Sequence, residues 1–295
     1  MSSIQSKYVR DMIRESDLWN RPLSEIRRSM EELQSAGTPE GVRNVRETVS
    51  GVACEVFYCE EAAKDKVILY YHGGGFCLGI YPSNRDFAAG IAKGCKANLY
   101  MPDYRLAPEN PFPAALIDAA EVYRGMLGRG YRAEDIIVMG DSSGGALSVS
   151  ALLKLKAEGV PMPKALVYIT PVFDLTGQAE TYITRRQEDP FNQENPLSIA
   201  KIYVGANDAA SPLLSPLFGN LEGLPPVLIH SADYDVFSGD SDSFSRAVRL
   251  AGGTVEHKKW EEMWHIFPMQ AAFVPEAGQA LEELYIYIKK SLNII

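Results

Sequence analysis

One short segment restricts the fold of this chain more than any other feature. Residues 136–139, Ile-Ile-Val-Met, form an apolar run that predicts a buried strand. The sequence GDSSG follows at residues 140–144, and a helical stretch rich in Ala, Leu and Lys then covers residues 146–157. A strand, a sharp turn and a helix are the context in which G-x-S-x-G raises a serine hydroxyl above a sheet edge. Ser142 is therefore a candidate nucleophile, and the alternative is an ordinary turn rich in glycine and serine.

Strand-like runs alternate with helical segments over most of the chain. A hairpin is predicted over residues 45–58, with Gly51 at its turn. Runs typical of buried strands lie at residues 67–71, 97–101, 136–139, 165–170, 226–230 and 254–259, and helical segments at 84–93, 113–127, 146–157, 244–251 and 276–292. This alternation predicts an α/β fold, in which helices cover both faces of a mostly parallel sheet and the hairpin adds an antiparallel edge.

Two stretches depart from this alternation. Residues 1 to about 36 are charged and helical in character, with apolar side chains at helical spacing from residue 23 to residue 33. Residues of about 176–215 contain several aromatic and proline residues but show no clear strand character. A long insertion inside a compact domain is usually functional. The first stretch is expected either to pack on the edge of the domain or to act as a lid.

Charge and composition exclude several classes of protein. The chain has 295 residues, 46% of them hydrophobic, and its net charge of −9 disfavours nucleic acid as a partner. No run approaches the roughly 18 apolar residues that span a bilayer, and the N-terminus lacks the apolar run of a secretory signal. The four cysteines show no C-x-x-C pairing, so neither a metal site nor a disulfide framework is expected. We therefore expect a cytoplasmic protein with free thiols and no cofactor.

A nucleophilic serine needs a base that accepts its proton. The chain has four histidines, of which His230 and His257 fall within predicted strands. His72 leads a glycine-rich loop and is expected to brace it. His265 lies between the last predicted strand and the final helix, where a loop can carry an imidazole over the serine. His265 is therefore the favoured base.

The base in turn needs an acidic residue that orients it. Asp233 and Asp235 both follow the predicted strand at 226–230, and their position alone does not separate them. Asp240 and Asp242 begin the next helix, where carboxylates are favoured by the helix dipole. Either candidate gives the chain order Ser, Asp, His.

Acyl transfer also requires N–H donors aimed at the oxyanion that develops on the substrate. A glycine-rich loop follows the predicted strand at 67–71, and its backbone can approach a substrate because no side chain intervenes. The candidate donors are the amides of Gly73, Gly74 and Gly75, of which Gly74 and Gly75 are favoured, and the amide of Ser143 directly after the candidate nucleophile.

Taken together, these motifs resemble those of one known family. The sequences HGGGF at 72–76, DYRLAPENPFPAAL at 103–116 and GDSSGG at 140–145, followed by an Asp-x-Asp loop and a late histidine, are similar to the hormone-sensitive lipase family of α/β-hydrolase carboxylesterases. The resemblance covers about residues 45–290. The chain departs from the family in having Ser143 where alanine is most common, and in lacking the usual Asp-Pro-Leu-x-Asp acid loop.

The resemblance implies an α/β-hydrolase fold with a catalytic set of Ser142, Asp235 and His265, since the acid of this family occupies the later slot of its loop. It also implies a helical cap, formed by residues 1–42 and an insertion at about 176–215, on a catalytic domain that spans residues 43–295.

The implied activity is that of a serine carboxylesterase, which hydrolyses short- to medium-chain esters through an acyl-enzyme. An amidase or a lactonase would use the same three residues, because the chemistry is shared. A non-catalytic relative that binds a small ligand is a further alternative, but such relatives lack the histidine that this chain has at His265. The expected partner is a small-molecule ester, and a homodimer is one allowed assembly.

Overall fold

The computed structural model describes residues 2–191 and 194–294, and the strands in these ranges form one eight-stranded sheet. In chain order they are β1 (Val42–Val49), β2 (Val52–Cys59), β3 (Val67–Tyr71), β4 (Asn98–Pro102), β5 (Ile136–Asp141), β6 (Ala165–Ile169), β7 (Val227–Ala232) and β8 (Val255–Trp260). Their order across the sheet is β1-β2-β4-β3-β5-β6-β7-β8. β2 runs antiparallel to both of its neighbours, and all the other pairings are parallel. The predicted α/β fold with an antiparallel edge is confirmed.

Helices cover both faces of this sheet. They are α1 (Ile4–Ser16), α2 (Leu23–Glu31), α3 (Pro82–Cys95), α4 (Ala114–Gly128), α5 (Ser143–Ala157), α6 (Thr181–Thr184), α7 (Ser198–Val204), α8 (Ser238–Leu250) and α9 (Pro275–Leu292). Alternate side chains of a strand point to opposite faces. In β3, Leu69 and Tyr71 accordingly pack in the core beneath α4 and α5, whereas Ile68 and Tyr70 pack in the core beneath α3 and α9.

Two helices begin three or more residues earlier than the apolar pattern predicts. α5 begins at Ser143, not at residue 146, and α8 begins at Ser238, not at residue 244. In both cases the first turn consists largely of Gly, Ser and Asp, which carry no apolar periodicity although they suit a helix N-terminus. The early start of α5 matters for function, because it places the helix N-terminus directly after Ser142.

The stretches that break the alternation lie over the same end of the sheet. The N-terminal segment (residues 2–41) carries α1 and α2, and the insertion (residues 176–215) carries α6 and α7. They meet where the rings of Trp19 and Phe191 pack edge to face at 5.2 Å. In the N-terminal segment, Arg27 donates hydrogen bonds to the carbonyl oxygens of Cys77 and Ala107, which fastens α2 to the catalytic half of the molecule.

The structure also describes the cysteines and the length of the apolar helices. All four cysteines are buried and have free thiols. Within the described ranges, we find no helix long and apolar enough to cross a bilayer.

Candidate active site

Ser142 lies in a strained turn between β5 and α5. Its backbone has φ 48° and ψ −126°, a conformation that is unfavourable for a residue with a side chain. The turn is possible because glycines lie two residues before and two residues after Ser142. A Cβ on Gly144 would lie 2.0 Å from the carbonyl oxygen of Tyr71, and one on Gly140 would lie 2.7 Å from the backbone of Gly144. Strain of this kind is a feature of nucleophile elbows, where it exposes the hydroxyl.

The three residues of the predicted catalytic set form one hydrogen-bonded line. Nε2 of His265 lies 2.8 Å from Oγ of Ser142, and Nδ1 lies 3.0 Å from Oδ2 of Asp235. The second oxygen of Asp235 accepts a hydrogen bond of 2.8 Å from the N–H of Phe237. We assign the imidazole proton to Nδ1, because a carboxylate can only accept. Nε2 is then free to take the serine proton.

The surroundings of His265 favour its protonated form. Burial lowers the pKa of His265, but the charge and hydrogen bond of Asp235, together with the charges of Asp189 and Asp141, outweigh this and raise the pKa above its ordinary value. An imidazolium that forms next to Ser142 is therefore stabilised.

The other acidic candidate has a different partner. Asp233 accepts a hydrogen bond of 2.9 Å from the guanidinium of Arg185, in the insertion. Asp233 thus holds the insertion, whereas Asp235 is the one of these two acids that contacts His265.

In the described ranges the remaining histidines have no hydrogen bond to Ser142, and burial lowers the pKa of each, which favours the neutral form. Nδ1 of His72 lies 2.8 Å from the carbonyl oxygen of Gly73, its ring stacks on Tyr104 at 4.3 Å, and burial lowers its pKa to about 4. His230 is buried in β7, where desolvation lowers its pKa to about 4. Nε2 of His257, in β8, lies 2.8 Å from Oγ of Ser231.

Three of the four predicted oxyanion donors have free N–H groups. Over the described ranges, the N–H groups of Gly74 and Gly75 have no protein acceptor, and Ser143 begins α5, where the first N–H groups of a helix are unpaired. Gly73 differs, because its N–H donates to Oδ1 of Asp141 at 2.8 Å. The predicted role of Gly73 is corrected accordingly: it supports the loop and its N–H is already engaged.

Asp141 was not singled out from the sequence, although it occupies the variable position before Ser142. Its buried carboxylate accepts hydrogen bonds from the hydroxyl of Tyr70 at 2.6 Å and from the N–H of Gly73. It therefore ties the glycine loop to the serine turn. The polar residue at that position is the sequence signal that could have identified Asp141 as part of the site. Phe237, whose ring lies 4.8 Å from that of His265, had no comparable signal.

A small apolar cavity of about 80 Å³ opens beside Ser142. Its apolar lining includes Trp19, Val172, Leu175, Phe191, Leu197, Ile199, Phe237 and Ile266. Phe191 contributes an aromatic ring of the insertion to this lining, whereas three other aromatic side chains have other partners. Phe76 and Tyr203 stack on each other at 4.3 Å in the core, and Tyr104 stacks on His72.

Comparison with known proteins agrees with this geometry. The sequence model of a family described as having the alpha/beta hydrolase fold matches residues 68–269. The chain is 31% identical to an acetyl-hydrolase of Streptomyces hygroscopicus over 96% of this chain and 95% of the relative. It is also 31% identical to the putative acetyl-hydrolase LipR of Mycobacterium tuberculosis, over 88% of this chain and 84% of the relative.

Among solved structures, the esterase EstE5 matches with a TM-score of 0.94 and 30% identity, over 99% of this chain and 100% of that one. A hormone-sensitive lipase from a metagenome library matches with a TM-score of 0.91 and 34% identity, over 99% of each chain. The chain therefore belongs to the α/β-hydrolase fold family, within the hormone-sensitive lipase group. It is a carboxylic ester hydrolase, as the sequence motifs predicted.

Proposed function

We propose that the protein hydrolyses esters of short acyl chains through an acyl-enzyme formed on Ser142. The observation that carries the proposal is the line from Ser142 through His265 to Asp235, which lies beside a glycine loop with free N–H groups. This arrangement supplies a nucleophile, a base, an orienting acid and oxyanion donors, which are the parts that acyl transfer needs.

In the first half of the reaction, Oγ of Ser142 attacks the ester carbonyl carbon while Nε2 of His265 takes the serine proton. Asp235 holds the Nδ1–H group and stabilises the imidazolium that results. The N–H groups of Gly74, Gly75 and Ser143 donate to the oxyanion. When the tetrahedral intermediate collapses, His265 gives its proton to the alcohol, which leaves.

In the second half, a water molecule attacks the acyl carbon and His265 takes a proton from it. The resulting intermediate expels Oγ of Ser142, which recovers its proton from His265, and the carboxylic acid is released. The enzyme returns to its starting state, and every proton transfer passes through Nε2 of the same imidazole.

The size of the cavity supports a short acyl group. A space of about 80 Å³ beside Ser142 accommodates only a few carbon atoms. A larger apolar groove of about 730 Å³ lies outside it and shares Trp19, Phe191 and Ile266 with the cavity. We assign the cavity to the acyl group and the groove to the alcohol. The name acetyl-hydrolase, given to two of the relatives, agrees with this assignment.

The N-terminal segment and the insertion act as a cap in this proposal, on a catalytic domain that begins at about residue 43. The supporting observation is the contact of Trp19 with Phe191, because both side chains line the cavity and come from the two separate stretches. The cap would set the size of the substrate, whereas the sheet would supply the chemistry.

A series of p-nitrophenyl esters from acetate to palmitate, with p-nitroacetanilide as the amide of matching size, tests the proposal. We expect the highest kcat/KM for acetate to butyrate, a steep fall for longer acyl chains, and negligible turnover of the anilide. A maximum at long chains would overturn the assignment of the cavity to the acyl group. Faster turnover of the anilide would indicate an amidase.

A homodimer also stays a prediction for this chain. β8 is the last strand of the sheet, and several of its side chains are exposed. An unpaired strand edge offers hydrogen bonds to a second copy. Sedimentation equilibrium distinguishes the two states, and a mass equal to that of one chain at micromolar concentration would contradict the dimer.

A further inference from the structure

A second buried carboxylate lies behind the catalytic residues and has no role in the mechanism above. Asp189 belongs to the insertion, and only 3% of its surface is exposed. Buried carboxylates are costly unless hydrogen bonds or charges compensate them. Asp189 has no cationic side chain as a hydrogen-bond partner in the described ranges, so its position requires another explanation.

The contacts of Asp189 connect it to the loop that carries Asp235. Oδ2 of Asp189 accepts a hydrogen bond of 3.2 Å from the N–H of Val236, the residue directly after Asp235. The next N–H along the chain, that of Phe237, donates to Asp235 itself at 2.8 Å. The two carboxylates therefore hold successive amides of one loop, and together they fix the direction in which Asp235 faces His265.

The other oxygen of Asp189 fixes part of the cavity wall. Oδ1 accepts a hydrogen bond of 3.0 Å from the N–H of Phe191. The ring of Phe191 lies edge to face with the imidazole of His265, at 6.0 Å, and lines the cavity. One carboxylate thus contacts both the acid loop and the residue that covers the base.

Neighbouring contacts show that the insertion holds this loop at several points. Oγ1 of Thr181 donates to the carbonyl oxygen of Val236 at 2.7 Å and accepts from the N–H of Gly239 at 3.1 Å. Arg185 binds Asp233 at the start of the loop. Of these three side chains of the insertion, Asp189 is the one whose charge raises the pKa of His265.

We propose that Asp189 is a positioning residue that fixes the acid loop and places a second negative charge behind the pair formed by Asp235 and His265. This inference rests on the proposed function, because it assumes that His265 is the base. It assigns a catalytic influence to the insertion, in addition to the influence on substrate size proposed above.

The electrostatic surroundings support this role. Burial raises the pKa of Asp189 to about 7, and the charge of Asp235 contributes in the same direction. The charge of Asp189 in turn raises the pKa of His265, so the protonation state of each group affects the other. Other charged or titratable groups face Asp189 and His265 from the surrounding elements. They are Asp141, Tyr182, the ion pair of Arg185 with Asp233, and Arg14. Arg14 donates to the carbonyl oxygens of residues 187 and 188.

The sign of the effect follows from the charges. An ionised Asp189 stabilises the imidazolium and so raises the pKa of His265. Activity requires neutral His265, so kcat/KM rises with pH as that proton is lost. If the charge of Asp189 is removed, the pKa of His265 falls and the acid limb of the profile moves to lower pH. The plateau also falls, because the imidazolium in the transition state loses part of its stabilisation.

The test is the pH profile of kcat/KM for p-nitrophenyl acetate with Asp189→Asn, Asp189→Glu and the unaltered enzyme. For Asp189→Asn we expect the midpoint of the acid limb to move down by about one pH unit and the plateau to fall by about tenfold. Asp189→Glu keeps the charge but lengthens the side chain, so its plateau should fall while its midpoint stays in place.

Asp240→Asn is the matched control. Asp240 is also buried, burial raises its pKa to about 8, and it accepts hydrogen bonds from backbone N–H groups, but those groups belong to Phe173 and Asp174. Its loss should leave the midpoint unchanged. An unchanged midpoint in Asp189→Asn, with a lowered plateau, would overturn the charge effect. A midpoint that moves equally in Asp240→Asn would show that the shift is not specific.

Infrared difference spectra keep the proposal falsifiable if Asp189→Asn does not fold. In the Asp240→Asn protein, the carbonyl band of a protonated carboxyl group should disappear between about pH 6 and pH 8. A carboxyl band that persists at pH 8 would contradict a negative charge on Asp189 in the active enzyme. The variant His265→Asn tests the proposed function separately. If His265 is not the base, this variant should retain activity, whatever the results with the Asp189 variants.

Discussion

The edge of the sheet around Ser142 and the segments above it are built on different principles. Around Ser142 the backbone itself fixes the geometry, since side chains on Gly140 or Gly144 would collide with main-chain atoms. In the segments above, the helices α6 and α7 of the insertion are short, with four and seven residues, and side-chain hydrogen bonds such as that of Arg185 with Asp233 hold the insertion in place. Large apolar residues are also exposed there, such as Tyr8 at 67%.

This difference separates chemistry from selectivity. A change at the sheet edge alters atoms that react or that bind the oxyanion, so it should lower kcat for every ester. A change in the segments above mainly alters which esters fit, because those segments contribute the walls of the cavity. Asp189 is the proposed exception, since it reaches from the insertion to the acid loop.

The largest effect should come from Ser142→Ala. The substitution removes the attacking oxygen but leaves the strained turn, which the glycines and backbone contacts maintain. We expect kcat for p-nitrophenyl acetate to fall by at least about 10⁴-fold, as for other enzymes that lose this nucleophile. The thermal midpoint should stay equal or rise slightly.

The control for that variant is its fold: its circular dichroism spectrum should match that of the unaltered protein, and its thermal midpoint should not fall. An alanine variant that folds and retains esterase activity within tenfold would contradict the assignment of Ser142. It would also contradict the proposal that the sheet edge around Ser142 supplies the chemistry, because the reaction would then depend on another residue.

A smaller loss is expected for Gly74→Ala, in the glycine loop. Gly74 has φ +108°, and a Cβ there would lie 2.7 Å from Cβ of Leu78. The loop must shift, which moves an N–H away from the oxyanion. Loss of one such donor lowers kcat by about 10²- to 10³-fold, with little change in KM.

Gly79→Ala is the matched control, since it lies in the same loop region but its Cβ would meet only Cδ1 of Leu106, at an ordinary 3.4 Å. It should keep kcat within a few-fold. Equal losses in both variants would indicate general disruption of the loop, and unaltered kcat in Gly74→Ala would exclude this amide from the oxyanion donors.

The sequence predicted the sheet edge much better than the segments above it. Ser142 and His265 were identifiable because chemistry restricts them to a few residue types in a fixed chain order. Asp235 could be separated from Asp233 only by resemblance, since both follow the same strand and only three-dimensional contacts distinguish them. The engagement of Gly73 was not predictable, because it depends on how the side chain of Asp141 turns.

The segments above the site resisted prediction for a physical reason. The helices of the insertion, α6 and α7, are too short to show a clear apolar period, and the contacts that hold both segments join distant parts of the chain. Asp189 illustrates this, because its partner Val236 lies 47 residues further along the chain. Trp19 and Phe191 likewise meet only after both segments fold over the sheet.

The smallest effect should come from Trp19→Ala, in the N-terminal segment. Trp19 lines the cavity and packs against Phe191 at 5.2 Å, so its removal opens the wall between the cavity and the outer groove. We expect the ratio of kcat/KM for hexanoate to that for acetate to rise by about three- to tenfold, as is typical for a change in pocket size. The value of kcat for acetate should change little, since no reacting atom is displaced.

Ile183→Ala provides the comparison for this variant. Ile183 lies in α6 of the insertion, is 81% exposed and is not part of the cavity lining, so its truncation should leave the ratio unchanged. If Trp19→Ala lowers kcat equally for all chain lengths, the N-terminal segment serves the chemistry and does not select substrates. Trp19 would then have the same role as Asp189, which is to support the catalytic geometry from above the sheet. Residues that serve the chemistry would in that case lie both at the sheet edge and in the segments above it.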